Sequence, residues 1–302
     1  MSTHDGAYKH IFSHAQIVRD LLTGFVRESW VGLLDLDTLE LTKNSYVTDD
    51  LRDRADDLVW RVRTREGGDW LYVYLLIEFQ SRVDPWMALR ILVYTGLLYQ
   101  DLVKSGQVRS GQRLPPVFPV VIYNGDSPWS AGTELAELIE PLPGLKAYRP
   151  SQRHLVLDEG RLDEDEIAAG NNALAEMIRL ERSPTPAELQ AIVARLTRRL
   201  AEPRHDSLRR ALVVWLNRVV LRRLVPGERI DEVHDLQEMG AMLAERVVEW
   251  TENWKQQGLQ ESRRSIALRL IALGVLSDEQ IAEATQFSLE EIHNLREQAG
   301  HV

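Results

Sequence analysis

The run Trp70-Leu-Tyr-Val-Tyr-Leu-Leu-Ile-Glu-Phe-Gln80 is almost entirely apolar or aromatic and rich in β-formers. A strand with one wet face would alternate with polar residues, so this run reads as a strand covered on both faces, and the chain must supply layers on either side of a sheet. Its only carboxylate, Glu78, sits among Leu75, Leu76, Ile77 and Phe79. Burying an unpaired charge costs several kcal/mol even after relaxation, so Glu78 needs a proton, a cationic partner or a metal ion.

The surrounding segments supply the layers. Residues 5 to 28 read as one helix, with His4 or Asp5 as cap and Ile11, Phe12, Ala15, Val18, Leu21, Leu22 and Phe25 at helical spacing. A short segment follows around Leu39 and Leu41, then Asp57-Leu-Val-Trp-Arg-Val-Arg63 alternates as a strand does. Arg65-Glu-Gly-Gly-Asp69 is a turn, so this strand and the apolar one form a hairpin at the middle of the sheet. Asp84-Pro85 begins a helix running through Met87, Ile91, Tyr94 and Leu98, and Val117–Tyr123 is a second buried strand closed by Asn124-Gly125-Asp126. From about residue 160 the pattern is helical. The order predicts an α/β core with a helical tail, divided as a domain over 1–203 and a helical C-terminal region over 204–302.

Several function classes drop out. With no cysteine among 302 residues, thiolate metal sites, disulfides and cysteine nucleophiles are excluded, and any metal must sit on oxygen or imidazole. No apolar stretch approaches the roughly 18 to 20 residues of a membrane span, and the N-terminus lacks a secretion signal, so a cytoplasmic protein without membrane contact is expected. Walker loops, dinucleotide-binding glycine patterns and Gly-x-Ser-x-Gly elbows are absent. The net charge of −10 argues mildly against nucleic acid, yet Arg204, Arg209, Arg210, Arg218, Arg222 and Arg223 crowd one segment. That run reads more simply as a solvated helix face.

Chemistry concentrates around Glu78. Strand alternation puts Gln80 on its face, and pairing through the Gly67-Gly68 turn brings Asp57 near it, with the register left open. Converging carboxylates suit Mg²⁺, whereas spacing alone serves equally well a buried pair between Glu78 and an arginine such as Arg90. The stretch Asp57-Leu-Val-Trp60, the strand ending Ile77-Glu-Phe-Gln-Ser81, and Met87-x-x-Arg90-x-x-x-Tyr94 resemble the Rpn family of recombination-promoting nucleases, also described as YhgA-like transposases. His4-Asp5 with Tyr8-Lys9 and Phe12, and Leu114-Pro115 leading to Val121-Ile-Tyr-Asn-Gly125, extend the likeness over most of residues 4 to 200.

The resemblance implies a PD-(D/E)xK restriction-endonuclease-like core, a mixed central sheet flanked by helices, acting as a Mg²⁺- or Mn²⁺-dependent deoxyribonuclease linked to recombination. Asp57 and Glu78 would bind the metal, with the Phe79 carbonyl as a third ligand. Gln80 would take the superfamily's lysine position, where it can orient a water and cannot deprotonate it. Asp56 would point to the other face. Arg90 and Tyr94, four apart on one helix face, would support the site or else pack as an ion pair and a core tyrosine, and Lys9 would approach the phosphate or remain solvated. The alternative function is a DNA-binding or assembly protein with a vestigial site.

Lesser features have simpler readings. His10 and His14 have metal-pair spacing without the accompanying glutamate motif, and read as surface histidines. In the tail, Ser277 and Ser288 each precede Gln or Glu by three residues and should cap two short helices. Glu279, Glu283, Glu290 and Glu291 make that hairpin acidic, favouring packing or homodimer formation over DNA contact.

Overall fold

A computed structural model describes residues 3–42, 58–78, 83–125, 127–182, 185–224 and 233–299; the side chains of 3–5, among them the expected caps His4 and Asp5, of 76–78 and of parts of the last helices lie outside that description. The chain divides into two compact units, one comprising 1–184 with 191–240 and the other 185–190 with 241–302.

The first unit is a mixed α/β structure, as expected. Its five-stranded sheet has the order β1-β2-β3-β4-β5, formed by Leu34–Leu41, Leu58–Thr64, Trp70–Glu78, Val117–Tyr123 and Leu155–Asp158. The first two pairings are antiparallel and the last two parallel. The buried apolar run is β3, at the centre. It pairs with β2 in a hairpin from Arg63 opposite Trp70 to Leu58 opposite Leu75. Gly67 and Gly68 make the turn with φ of 86° and 67°, a left-handed conformation that costs glycine nothing.

Alternation assigns the two faces. Val59, Tyr72, Tyr74 and Val121 pack against Met87, Ile91, Tyr94 and Leu98 of α3 (Met87–Lys104), which crosses over between the parallel strands β3 and β4. The other face carries Trp60, whose indole nitrogen donates to the Phe12 carbonyl at 3.1 Å, and receives α1 (Thr3–Phe12) and α2 (Ala15–Phe25). Layers on both sides explain why β3 tolerates so few polar residues.

Three expectations are corrected. The first helix is two helices, because Ser13 Oγ donates to the His10 carbonyl at 2.6 Å and the His14 ring meets the same oxygen at 2.8 Å, ending α1 with side-chain bonds. The next helix starts at Met87 rather than at Asp84-Pro85: Asp84 accepts from the Trp86 backbone at 2.8 Å and turns the chain before the helix instead of capping it. A fifth strand, β5, lies where no strand was expected. Its four residues are too few to show a period.

Behind α1 and α2 lie α4 (Glu164–Gly170), α5 (Ala173–Glu181) and α6 (Pro186–Arg199), followed by one continuous helical stretch. That stretch is α7 (Asp206–Trp215), a π turn over Leu216–Val220 and α8 (Leu221–Leu224). It packs on α1, with Trp215 edge-on to Tyr8 at 6.0 Å, so this part of the expected C-terminal region belongs to the first unit. Buried Asp20 of α2 accepts from the Ala173 and Leu174 amides at 2.8 and 3.3 Å, anchoring the α5 N-terminus; burial nevertheless raises its pKa.

The second unit holds most of α9 (Leu236–Leu273), α10 (Asp278–Thr285) and α11 (Leu289–Ala299) around Ala267, Ile271, Ile281, Ile292 and Leu295. Ser277 accepts from the Gln280 amide at 3.4 Å and Ser288 from the Glu291 amide at 3.2 Å, the two caps expected. Among the described residues no helix is long and apolar enough to cross a membrane.

Candidate functional site

The strands β3, β4 and β5 run parallel and end together. Glu78 pairs with Tyr123, and Tyr123 with Asp158, so one row of the ladder closes this sheet edge. Such carboxyl ends are where open α/β sheets place their sites, since the connections there are free to vary.

Tyr123 is fully buried, donates to the Ser127 carbonyl at 2.8 Å and meets Trp129 edge-on at 5.2 Å. Its ring lies so near Gly125 that a Cβ there would collide with the phenol, which accounts for glycine in the Tyr-Asn-Gly turn. Asp158 accepts from the Trp129 amide through Oδ2 at 2.9 Å, while its buried Oδ1 has no hydrogen-bond partner among the described residues. On the opposite sheet face, Glu159 accepts from the Tyr8 hydroxyl at 2.9 Å, and its other oxygen has no hydrogen-bond partner among the described residues. Burial first, then the neighbouring charge of Glu181, pushes the Glu159 carboxyl well above its ordinary range; burial, then the charge of Glu159, does the same to the Tyr8 phenol. Glu181 is paired with Arg223 at 3.1 Å.

The sequence-predicted residues are distributed as follows. Asp57, Phe79 and Gln80 lie outside the described residues, as does the side chain of Glu78, whose backbone ends β3. Arg90, on the first turn of α3, pairs with Asp84 at 2.9 Å, and its guanidinium carbon stands 6.0 Å from the Tyr94 ring. Tyr94 is buried and stacked on Tyr74 at 5.9 Å. Lys9 is half-buried on α1, one residue from the Tyr8 that reaches Glu159. His10 is exposed and His14 half-buried; the His14 ring contacts Ser207 at 3.0 Å, and burial lowers its pKa.

Sequence reasoning missed Asp158 and Glu159. The signal was a faint echo of β3: Leu155-Val-Leu157 followed by two acids and Gly160. Among the described residues no group of three or more histidine, aspartate or glutamate side chains is arranged to hold a metal ion. A cavity of about 600 Å³ opens at the other end of β3, between Trp70, Tyr72 and the 107–116 segment, away from these carboxylates.

Over residues 2–208 the sequence matches the family described as "Putative transposase, YhgA-like". Recombination-promoting nuclease RpnD of Escherichia coli O157:H7 is 33% identical over 179 residues, 58% of this chain and 66% of that protein. RpnA of Escherichia coli K12, another recombination-promoting nuclease, is 32% identical over 127 residues, 42% of this chain and 41% of its own length. The match thus spans just under two thirds of RpnD and about two fifths of RpnA. A third relative, the inactive recombination-promoting nuclease-like protein RpnE of the K12 strain, is 29% identical over 299 residues, 94% of this chain and 96% of that protein. No solved structure matches. With more than half of its length matched and the anticipated motifs inside the match, the chain belongs to the YhgA-like family of Rpn recombination-promoting nucleases.

Proposed function

We propose that the protein is a metal-dependent DNA endonuclease of PD-(D/E)xK architecture, with Asp57, Glu78 and Gln80 at its centre. The observation that carries this reading is the β2–β3 register: Leu58 stands opposite Leu75, three residues before Glu78, and Asp57 is joined directly to Leu58. At about 3.3 Å per strand residue, this register supports a reading in which the two acidic positions share one ion.

An all-oxygen donor set fits a hard cation, and the Asp158 oxygen in the same ladder row, without a hydrogen-bond partner among the described residues, adds acceptor capacity at that edge. Asp57, Glu78 and the Phe79 carbonyl would hold Mg²⁺ or Mn²⁺, which when bound neutralises phosphate charge and acidifies water. The chain's own groups do the rest. Gln80 orients the attacking water through its amide, without the basicity to deprotonate it. Arg90 and Lys9 offer positive charge to the scissile phosphate, and the Tyr94 ring steadies the Arg90 guanidinium.

Incubation of plasmid DNA with the purified protein and Mg²⁺ tests this reading. Wild type should nick or linearise the plasmid, and Asp57→Ala and Glu78→Ala should each lose about 100-fold or more, since even groups behind a metal ligand are worth 10- to 100-fold. Equal activity in all three would defeat the proposal. The second reading, a DNA-binding or assembly protein with a vestigial site, is favoured by the inactive relative aligned along nearly the whole chain. Calorimetry separates the two: Mg²⁺ or Mn²⁺ binding lost in Glu78→Ala supports the enzyme, and none in wild type supports the inert protein.

We also propose homodimer formation through the C-terminal helices. Exposed Leu259, Ile266 and Leu273 recur every seven residues on α9, the spacing of a coiled-coil seam.

A further inference from the structure

The helical stretch 206–224 carries five arginines, and its only acid is Asp206 at the start. They divide by what they touch. Arg209 bonds to Asp206 and to the Leu200 and Glu202 carbonyls, and Arg223 bonds to Glu181 and the Leu180 carbonyl. Arg210, Arg218 and Arg222 have no hydrogen-bond or ion-pair partner among the described residues, and all three are exposed.

These three share a face. Positions 210, 214, 218 and 222 are exposed, whereas 211–213, 215, 216 and 219–221 are buried against the domain. Residues four apart drift round a regular α-helix, whose repeat is 3.6. The π turn over Leu216–Val220 is wound more widely and takes out that drift, so Arg218 and Arg222 stay in line with Arg210. The row spans about 18 Å along the axis. The helix that carries the row is anchored on its other side, where buried Trp215 packs edge-on against Tyr8 at 6.0 Å.

We infer that the Arg210–Arg218–Arg222 face is a track for the phosphodiester backbone of duplex DNA. Charge complementarity selects the occupant. In a chain of net charge −10, three unneutralised guanidiniums in one row form a local cationic strip, and guanidinium matches phosphate in geometry as well as charge. The track deepens the nuclease reading and rests on it for its biological purpose, but it binds by electrostatics alone and needs no divalent ion.

Fluorescence anisotropy with a labelled duplex of about 20 base pairs, in EDTA over a KCl series, reads the counterions released on binding. Replacing Arg210, Arg218 and Arg222 together by glutamine should weaken binding at least about tenfold at low salt and reduce the slope of log K against log[KCl] by about 2 to 3, near 0.9 for each lost phosphate contact. Replacing the same three by lysine should largely keep the slope. A control triple, Arg109, Arg113 and Arg198 to glutamine, changes net charge equally and should leave the slope almost unaltered. Wild type that fails to bind the duplex, or two glutamine triples with the same effect, overturns the track. Plasmid cleavage separates this from failure of the catalytic reading. Track-dependent binding without Asp57-dependent cleavage sinks only the catalysis, and Asp57-dependent cleavage with an unchanged slope sinks only the track.

Discussion

Glu159 shows how a residue acquires an unusual titration from its setting. It is 1% exposed, bonded to a phenol and close to a second acid, so the folded state favours its protonated form. With the folded pKa raised above the unfolded value of 4.5, its contribution to stability is complete below about pH 4.5 and is lost as pH rises through the folded pKa. Glutamine at this position keeps an acceptor for Tyr8 and has no proton to lose. Denaturant unfolding of Glu159→Gln should therefore show little gain over wild type at pH 4 and a growing gain toward pH 8, and a gap independent of pH would contradict this account. His154 has the opposite sign. Burial lowers it from 6.5 to about 4, so its contribution is present above pH 6.5 and is lost on acidification through that window. Neither behaviour was legible in the sequence, because each depends on which chain segments cover the side chain. For Glu78 the sequence supplies an expectation of burial, from the apolar neighbours in its own strand, and its side chain lies outside the described residues.

Among the elements, the β2–β3 hairpin and the caps of the last two helices followed local rules, while helix limits and the short β5 did not. The β2–β3 hairpin and the caps at Ser277 and Ser288 arise from residues a few positions apart, and sequence spacing described them. The break at Ser13-His14 escaped notice because apolar positions on either side fit one helix or two. Docking between helices depends on pairs far apart in sequence, as with α5 and α6. Glu176, 1% exposed, accepts from Arg195 Nε and Nη2 at 2.8 Å each, with Arg179 3.5 Å away. Removing Arg195 takes both charge-assisted hydrogen bonds from the buried carboxylate and leaves it only the more distant Arg179 and Arg199, at 3.5 and 4.0 Å, whereas removing the acid leaves a guanidinium that water can reach. Arg195→Ala should thus cost about 3 kcal/mol, and more than Glu176→Ala. Urea unfolding checks this, and the reverse order would mean that α5 and α6 are held by apolar packing alone.

For the whole molecule, the seven-residue row on α9 predicts a dimer. Sedimentation or size-exclusion measurements should give a dimer for the full chain and a monomer when Leu259, Ile266 and Leu273 are all changed to glutamate, and a monomeric wild type would remove the proposal. The layered α/β plan and the family were readable from one apolar strand, the turn after β2 and a few motifs, because these are local patterns that any compact fold of the chain must satisfy. The expected nuclease ligands rest on those local patterns alone, since Asp57, Phe79, Gln80 and the Glu78 side chain lie outside the described residues. Long-range packing decided the rest. It set Asp158 in a ladder row with Glu78, drew Glu159 under Tyr8 and left three of the five arginines of 206–224 facing solvent in a line. A sequence lists which charges exist; their burial and pairing, and so their energies, depend on neighbours that only the folded chain brings together.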